Sequence, residues 1–95
     1  MDLLNKNELL KLLNSPDIEN RKIAETYLLA NFDLNFNVRW GTNIFTSKIL
    51  CKIDDNKTEG YVCNAKHLLY LIINYEYYKR YLKLFLDTIY EYNNK

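Results

Sequence analysis

Glycine and proline are scarce in this chain of 95 residues: Gly41 and Gly60 are its two glycines and Pro16 its one proline. With so few turn-specific residues, neither a glycine-rich phosphate-cradling loop nor a proline-rich linker can be assembled. Neither charge sign dominates, since 13 Lys and Arg stand against 12 Asp and Glu. The net charge of +1 therefore gives no global attraction to nucleic acid or membrane, and any such attraction has to come from a local patch. No run approaches the roughly 18 uninterrupted apolar residues that suggest a membrane span. The first residues carry no basic stretch leading into an apolar one, so a cytoplasmic location is expected. Cys51 and Cys63, with no secretory signal beside them, are expected as two thiols rather than one disulfide.

What the chain does have is a foldable balance, 48 % hydrophobic and 26 % charged, which fits one globular domain over residues 1–95. It also has nine tyrosines, seven of them (Tyr70, Tyr75, Tyr77, Tyr78, Tyr81, Tyr90, Tyr92) in the last third. From Asn64, a residue suited to capping a helix start, no Gly or Pro interrupts the chain, and one long amphipathic helix is expected over 64–92. Leu71, Tyr75, Tyr78, Leu82, Phe85, Ile89 and Tyr92 recur at alternating steps of four and three, which draws an apolar seam along one helix face. A straight helix of that length spans about 43 Å, against a diameter of roughly 30 Å for a compact domain of this size. Unless it kinks it overhangs its own body, and the simplest cover for an overhanging seam is a second copy of the chain. A homodimer through those seven residues is the resulting expectation, with burial of the seam inside one domain as the alternative.

Ahead of that segment the pattern predicts three further parts. Residues 1–32 read as a helical hairpin: a leucine-rich helix over about 6–14, a Ser15-Pro16-Asp17 boundary, and a second helix from Pro16 to Asn31 burying Ile18, Ile23, Tyr27, Leu28 and Ala30. At Asp33 the period changes to two. Leu34, Phe36, Val38 and Trp40 alternate with polar residues as a half-buried strand, Gly41-Thr42-Asn43 turns the chain, and Ile44 to Ile53 returns as its antiparallel partner, with Phe45, Ile49, Cys51 and Ile53 on the apolar side that must lie on helices. Tyr61-Val62-Cys63 reads as a short third strand or an extended lead into the last helix. Strands that sit together rather than alternating with helices make the class α+β.

Catalytic and metal-binding patterns are weak. His67, Cys63 and Cys51 supply three of the four ligands a structural zinc needs, and Asp54 would have to complete the set, so an ordinary first-turn histidine is the simpler reading. A Cys63–His67 nucleophile pair lacks an orienting third residue. The polar loop Asp54–Gly60 has Glu59 where a calcium loop needs its sixth-position glycine and Ala65 where it needs its final Glu. No enzyme activity, cofactor or metal is expected.

The stretch Leu9–Phe32 resembles a single helical-repeat unit of the armadillo or HEAT type through its leucines, its Ser-Pro-Asp turn and its Ile-Ala-Glu-x-Tyr-Leu-Leu run. No second copy follows, so no solenoid is expected. The order helical hairpin, strand hairpin, terminal helix is similar to that of some winged helix-turn-helix regulators. That resemblance implies duplex DNA read by Asn20, Arg21 and Lys22, with Arg39, Thr42, Asn43 and Lys48 on the wing; Asp17, Glu19 and Glu25 on the same helix would repel phosphates. The favoured expectation is a small non-enzymatic protein-binding module anchored by Trp40, Tyr77 and Tyr81. Size and composition suit a phage or mobile-element protein that binds and inhibits host machinery.

Overall fold

The structure, a computed structural model, describes residues 3–56 and 59–94; within the polar loop, Lys57 and Thr58 lie outside the described residues. Helix α1 (Lys6–Leu13) starts at Asn5, whose side chain accepts from Glu8 N while the Glu8 carboxylate accepts from Asn5 N, a reciprocal cap. Asp17 starts α2 (Ile18–Asn31) by accepting from Glu19 N. Next come β1 (Asn37–Thr42), β2 (Ile49–Ile53) and β3 (Tyr61–Asn64), then α3 (Ala65–Asn74), a 3-10 helix (Glu76–Tyr81) and α4 (Leu82–Asn93). The α+β class, the helical hairpin, the strand hairpin and an amphipathic helical last third are thus present.

The sheet has the order β2-β1-β3, both pairs antiparallel, so Tyr61 to Asn64 do form a third strand. Val38 faces Ile53 and Cys63, and Trp40 faces Cys51 and Tyr61. Leu34, Phe36 and Val38 are buried as the two-residue period requires. β2 is shorter than the alternation suggested. Gly41 and Thr42 remain in β1, and the turn lies at Asn43–Lys48, where Asn43 Oδ1 accepts from Phe45 N and Thr46 N and Ser47 sits at φ 60°. Phe45, expected inside, stands 90 % exposed at the hairpin tip beside Ile44.

The last third is bent. Tyr75 is extended (φ −134°, ψ 125°) between α3 and the 3-10 helix. Asn74 turns its amide back onto the Tyr70 carbonyl at 2.8 Å. The run from Tyr75 to Tyr81 is rich in aromatics of modest helix propensity. Arg21 completes the break from across the molecule, its Nε donating to the Ile73 carbonyl and its Nη1 to the Ser15 carbonyl, both at 2.8 Å. The guanidinium therefore satisfies a carbonyl that the end of α3 leaves without a helical partner. Folded back in this way the segment does not overhang. α4 lies on β2 and α1, α3 lies on α2, and the described residues measure 41 × 30 × 19 Å.

Of the proposed seam, Leu82, Phe85 and Ile89 belong to the core of a single chain, Leu71, Tyr78 and Tyr92 pack at its margin, and Tyr75 stays 52 % exposed. This corrects the picture of a seven-residue seam open to a second copy, because the bend brings the protein's own sheet and first helix onto it. The buried face of α2 is also turned from that expected. Arg21, Ala24, Tyr27 and Leu28 point inward, with Arg21 drawn to the end of α3, whereas Ile18, Ile23 and Ala30 face outward.

Two stability outcomes follow from this packing. Leu82→Asp places an unpaired carboxylate in the core at a cost of several kcal/mol, so helical circular dichroism should collapse; a folded variant of altered mass would place Leu82 at a subunit interface instead. Gly60 has φ +123°, and a Cβ there would lie 2.8 Å from the Trp40 carbonyl oxygen. Gly60→Ala is expected to lower unfolding stability by about 1–3 kcal/mol, measured by urea titration.

Candidate functional site

Trp40, in the middle of the central strand, is the hub of an aromatic cluster. Its ring centroid lies 5.2 Å from Tyr61 on β3, 5.3 Å from Tyr78 and 5.5 Å from Tyr81 on the 3-10 helix. Tyr77 meets Tyr78 edge to face at 5.1 Å, and Tyr75 meets it at 6.4 Å. The bend at Tyr75 makes this possible, since a 3-10 helix turns its side chains through a tighter angle than an α-helix. Edge-to-face and offset pairs of this kind add to area burial.

The cluster is graded from dry to wet. Tyr81 is fully buried, and its hydroxyl shares a 2.7 Å hydrogen bond with Thr42 Oγ1. Trp40 and Tyr78 are half-buried, while Tyr61, Tyr75 and Tyr77 are 69, 52 and 50 % exposed. Of the three expected anchors, then, Tyr77 is presented to solvent, Trp40 supports from beneath, and Tyr81 is structural. Tyr61, which the sequence pattern does not mark as an anchor, is the most exposed ring of the cluster. Its one sequence signal is its place in a candidate third strand, beside a valine that is itself exposed.

β3 also offers its backbone. Ala65 N donates to the Phe36 carbonyl at 2.8 Å, and by the alternation of an antiparallel pair Cys63 and Tyr61 exchange bonds with Val38 and Trp40. The N–H and C=O of Val62 therefore point away from β1, and β3 has no second strand neighbour among the described residues. At the opposite edge, β2 is covered by α4, where the buried Thr88 hydroxyl lies 3.2 Å from the Cys51 carbonyl and 2.7 Å from that of Leu84.

The residues of the DNA resemblance are otherwise engaged. Arg21 is turned inward as described, and Asn20 donates to Ser15 Oγ at 3.1 Å. Lys22 lies 3.3 Å from Glu25, and Arg39 reaches Asp54 at 2.9 Å and Asp55 at 3.9 Å on the outer face of the sheet. Lys48 is exposed at a hairpin tip that also presents the apolar side chains of Ile44 and Phe45. A separate shallow groove of about 500 Å³ runs along α2, lined by Leu4, Ile23, Tyr27 and Ala30 with Glu19 and Lys22 at its sides.

The structure does not gather the chemistry-bearing residues into one place. His67 is exposed and stacks on Tyr70, and no group of three or more His, Cys, Asp or Glu stands in metal-binding proximity among the described residues. Cys51 and Cys63 are separate thiols on the two outer strands. Burial pushes the Cys51 thiol up to about 12, only partly offset by a hydrogen bond to Thr88. Burial also raises Cys63, against a smaller opposing pull from the Trp40 indole, whose Nε1 is buried without a hydrogen bond of normal geometry. Both shifts disfavour the thiolate, which is the reactive form of the group. No helix among the described residues is long and apolar enough to cross a membrane. No protein-family model matches the chain, and comparisons with curated proteins and with solved structures give no match either.

Cys51 sets an alkaline limit. An unfolded thiol ionises near 9 and the native one at about 12, so its contribution to stability is complete below about pH 9 and is lost as the pH rises toward 12. Between pH 9 and 11 this group alone lowers unfolding stability by up to roughly 2–3 kcal/mol. Urea midpoints should fall over that range, and Cys51→Ala should show the shallower fall; parallel slopes would show that the native thiol is not so raised.

Proposed function

We propose that the protein is a non-catalytic protein-binding module whose partner docks on the β3 edge and the tyrosines beside it. The supporting observation is the graded aromatic cluster: three half-exposed rings rest on a base of half-buried Trp40 and buried Tyr81, next to a strand whose outer backbone groups have no strand to pair with among the described residues. A ring held by buried neighbours loses little freedom on binding, and Tyr and Trp are the side chains that dominate interface energies. An extended partner segment can pair with Val62 and lay its own side chains on Tyr61 and Tyr75.

The same edge suits a second copy, since two antiparallel β3 strands related by a two-fold axis are self-complementary. On this reading self-association moves from the Leu71–Tyr92 seam to the sheet edge. A small domain that captures a strand or edge of another protein has the means to block it, and a role as a phage or mobile-element inhibitor of host machinery fits that means.

The test is a pair of substitutions that leave the core alone. Tyr61→Ser with Val62→Lys removes the outermost ring and charges the edge, the device by which natural sheets prevent edge pairing. Helical circular dichroism and the urea unfolding midpoint should be retained, while a partner crosslinked to the natural chain in host lysate should bind the variant at least tenfold less well. Light scattering distinguishes a self-paired edge, with a mass of twice 11.5 kDa, from a foreign partner. Identical crosslinking by both proteins would remove the β3 edge from consideration.

A further inference from the structure

The ends of α1 and the 3-10 helix enclose a second concavity, distinct from the sheet edge, of about 310 Å³. Four cations line it, Lys11 from α1 and Lys79, Arg80 and Lys83 from the 3-10 helix and the start of α4, together with the Asn14 amide, and no carboxylate is among the lining residues. Lys79 has a counter-ion in Glu76 at 2.9 Å, on a carboxylate that is itself mostly in water. Lys11 and Lys83 have no ion-pair partner among the described residues, and both are exposed. In a chain whose net charge is +1, this is the local patch that the overall balance requires for any attraction to polyanions.

Arg80, which lines the cleft, joins it to Tyr77 of the aromatic cluster. The Arg80 guanidinium lies over the Tyr77 ring, 4.3 Å from its centroid, and Arg80 Nε donates to the Tyr77 carbonyl at 3.2 Å, which fixes the plane of the fork at the rim. Tyr77 is half-exposed at this point. Several cations spaced along an open cleft, with a flat exposed ring at its end, match the needs of a chain of phosphates carrying unstacked bases. A carboxylate-rich peptide would use the cations but not the ring. A duplex would meet the cations but keep its bases stacked within, out of reach of Tyr77.

We propose that this cleft binds single-stranded nucleic acid, with its phosphates on Lys11, Lys79, Arg80 and Lys83 and a base on Tyr77. The proposal does not depend on the β3 strand itself; Tyr77 is the one residue it shares with the docking surface proposed above, and the lysines are its own.

The experiment is fluorescence anisotropy of fluorescein-labelled dT12 with the full chain, from 50 to 300 mM salt. The expected result is saturable binding that weakens with salt. Lys11→Glu with Lys83→Glu should reduce affinity at least tenfold and lower the log–log salt slope by about 1.4, at about 0.7 for each single-strand phosphate that is no longer neutralised. Tyr77→Leu should weaken binding at least fivefold with the salt slope unchanged, a pattern expected when stacking is removed and charge is kept. The same charge change placed elsewhere, Lys52→Glu with Lys66→Glu, should leave binding within twofold. Absence of binding at 50 mM salt, equal weakening in the two charge-reversed proteins, or equal affinity for a 12-residue polyglutamate peptide or a 12-base-pair duplex would each overturn the proposal.

Discussion

The fold depends on the place where its last third stops being one helix. A straight helix of that length would be about 43 Å long, too long to be covered by so small a body, and its apolar face would stand in water. Ending α3 at Asn74 solves the burial problem but leaves carbonyl groups without helical donors. Arg21 meets that need from α2, and in doing so ties the α1–α2 connection to the far end of α3 through Ser15 and Ile73. A side chain that composition alone would assign to the surface thus fixes the angle between the two halves of the molecule. Once it does, Leu82, Phe85, Leu86 and Ile89 fall onto the sheet and the first helix and close the core.

The same bend builds the surface on which the functional reading rests. Six aromatic rings from β1, β3 and the 3-10 helix with its leading residue share one cluster only because the 3-10 segment crosses beside Trp40 rather than running on past it. Their exposure rises from nothing at Tyr81 to more than two thirds at Tyr61. Rings at the outside are held by rings at the inside, which makes them adhesive without being floppy.

Much of the fold is legible in the sequence because local chemistry dictates it. The leucine-rich first helix, the boundary at Pro16, and the alternation of Leu34, Phe36 and Val38 need no tertiary context, although α2 begins at Ile18 with Asp17 as its cap rather than at Pro16. The seam residues are apolar and recurrent, as their spacing indicates. What that spacing cannot disclose is that a four-three rhythm survives a bend when the residues after it rejoin the same core. The cue to the bend is Asn74, wedged between Ile73 and a run of tyrosines. Phe45 misleads because alternation carries on through a loop whose conformation is set by the Asn43 side chain and a left-handed Ser47. Arg21 and Arg39 mislead because charge alone does not disclose what a side chain already binds; one caps a helix and the other is clamped by aspartates. Tyr61 escapes notice because only strand pairing with β1 brings it against Trp40.

Asparagine does in this chain the work that glycine does elsewhere. It caps α1 and α3 at their starts, follows the last residue of α1, and supplies the last residue of α2, α3 and α4, where each amide reaches back to the carbonyl four residues before it. These boundaries are therefore written in a group that water can hydrolyse. Conversion of Asn31, Asn74 or Asn93 to aspartate would replace a donor by an acceptor facing a carbonyl and set a negative charge at the negative end of the helix dipole. Loss of the amide at any of these three positions would thus loosen a helix end while leaving the apolar core as it is.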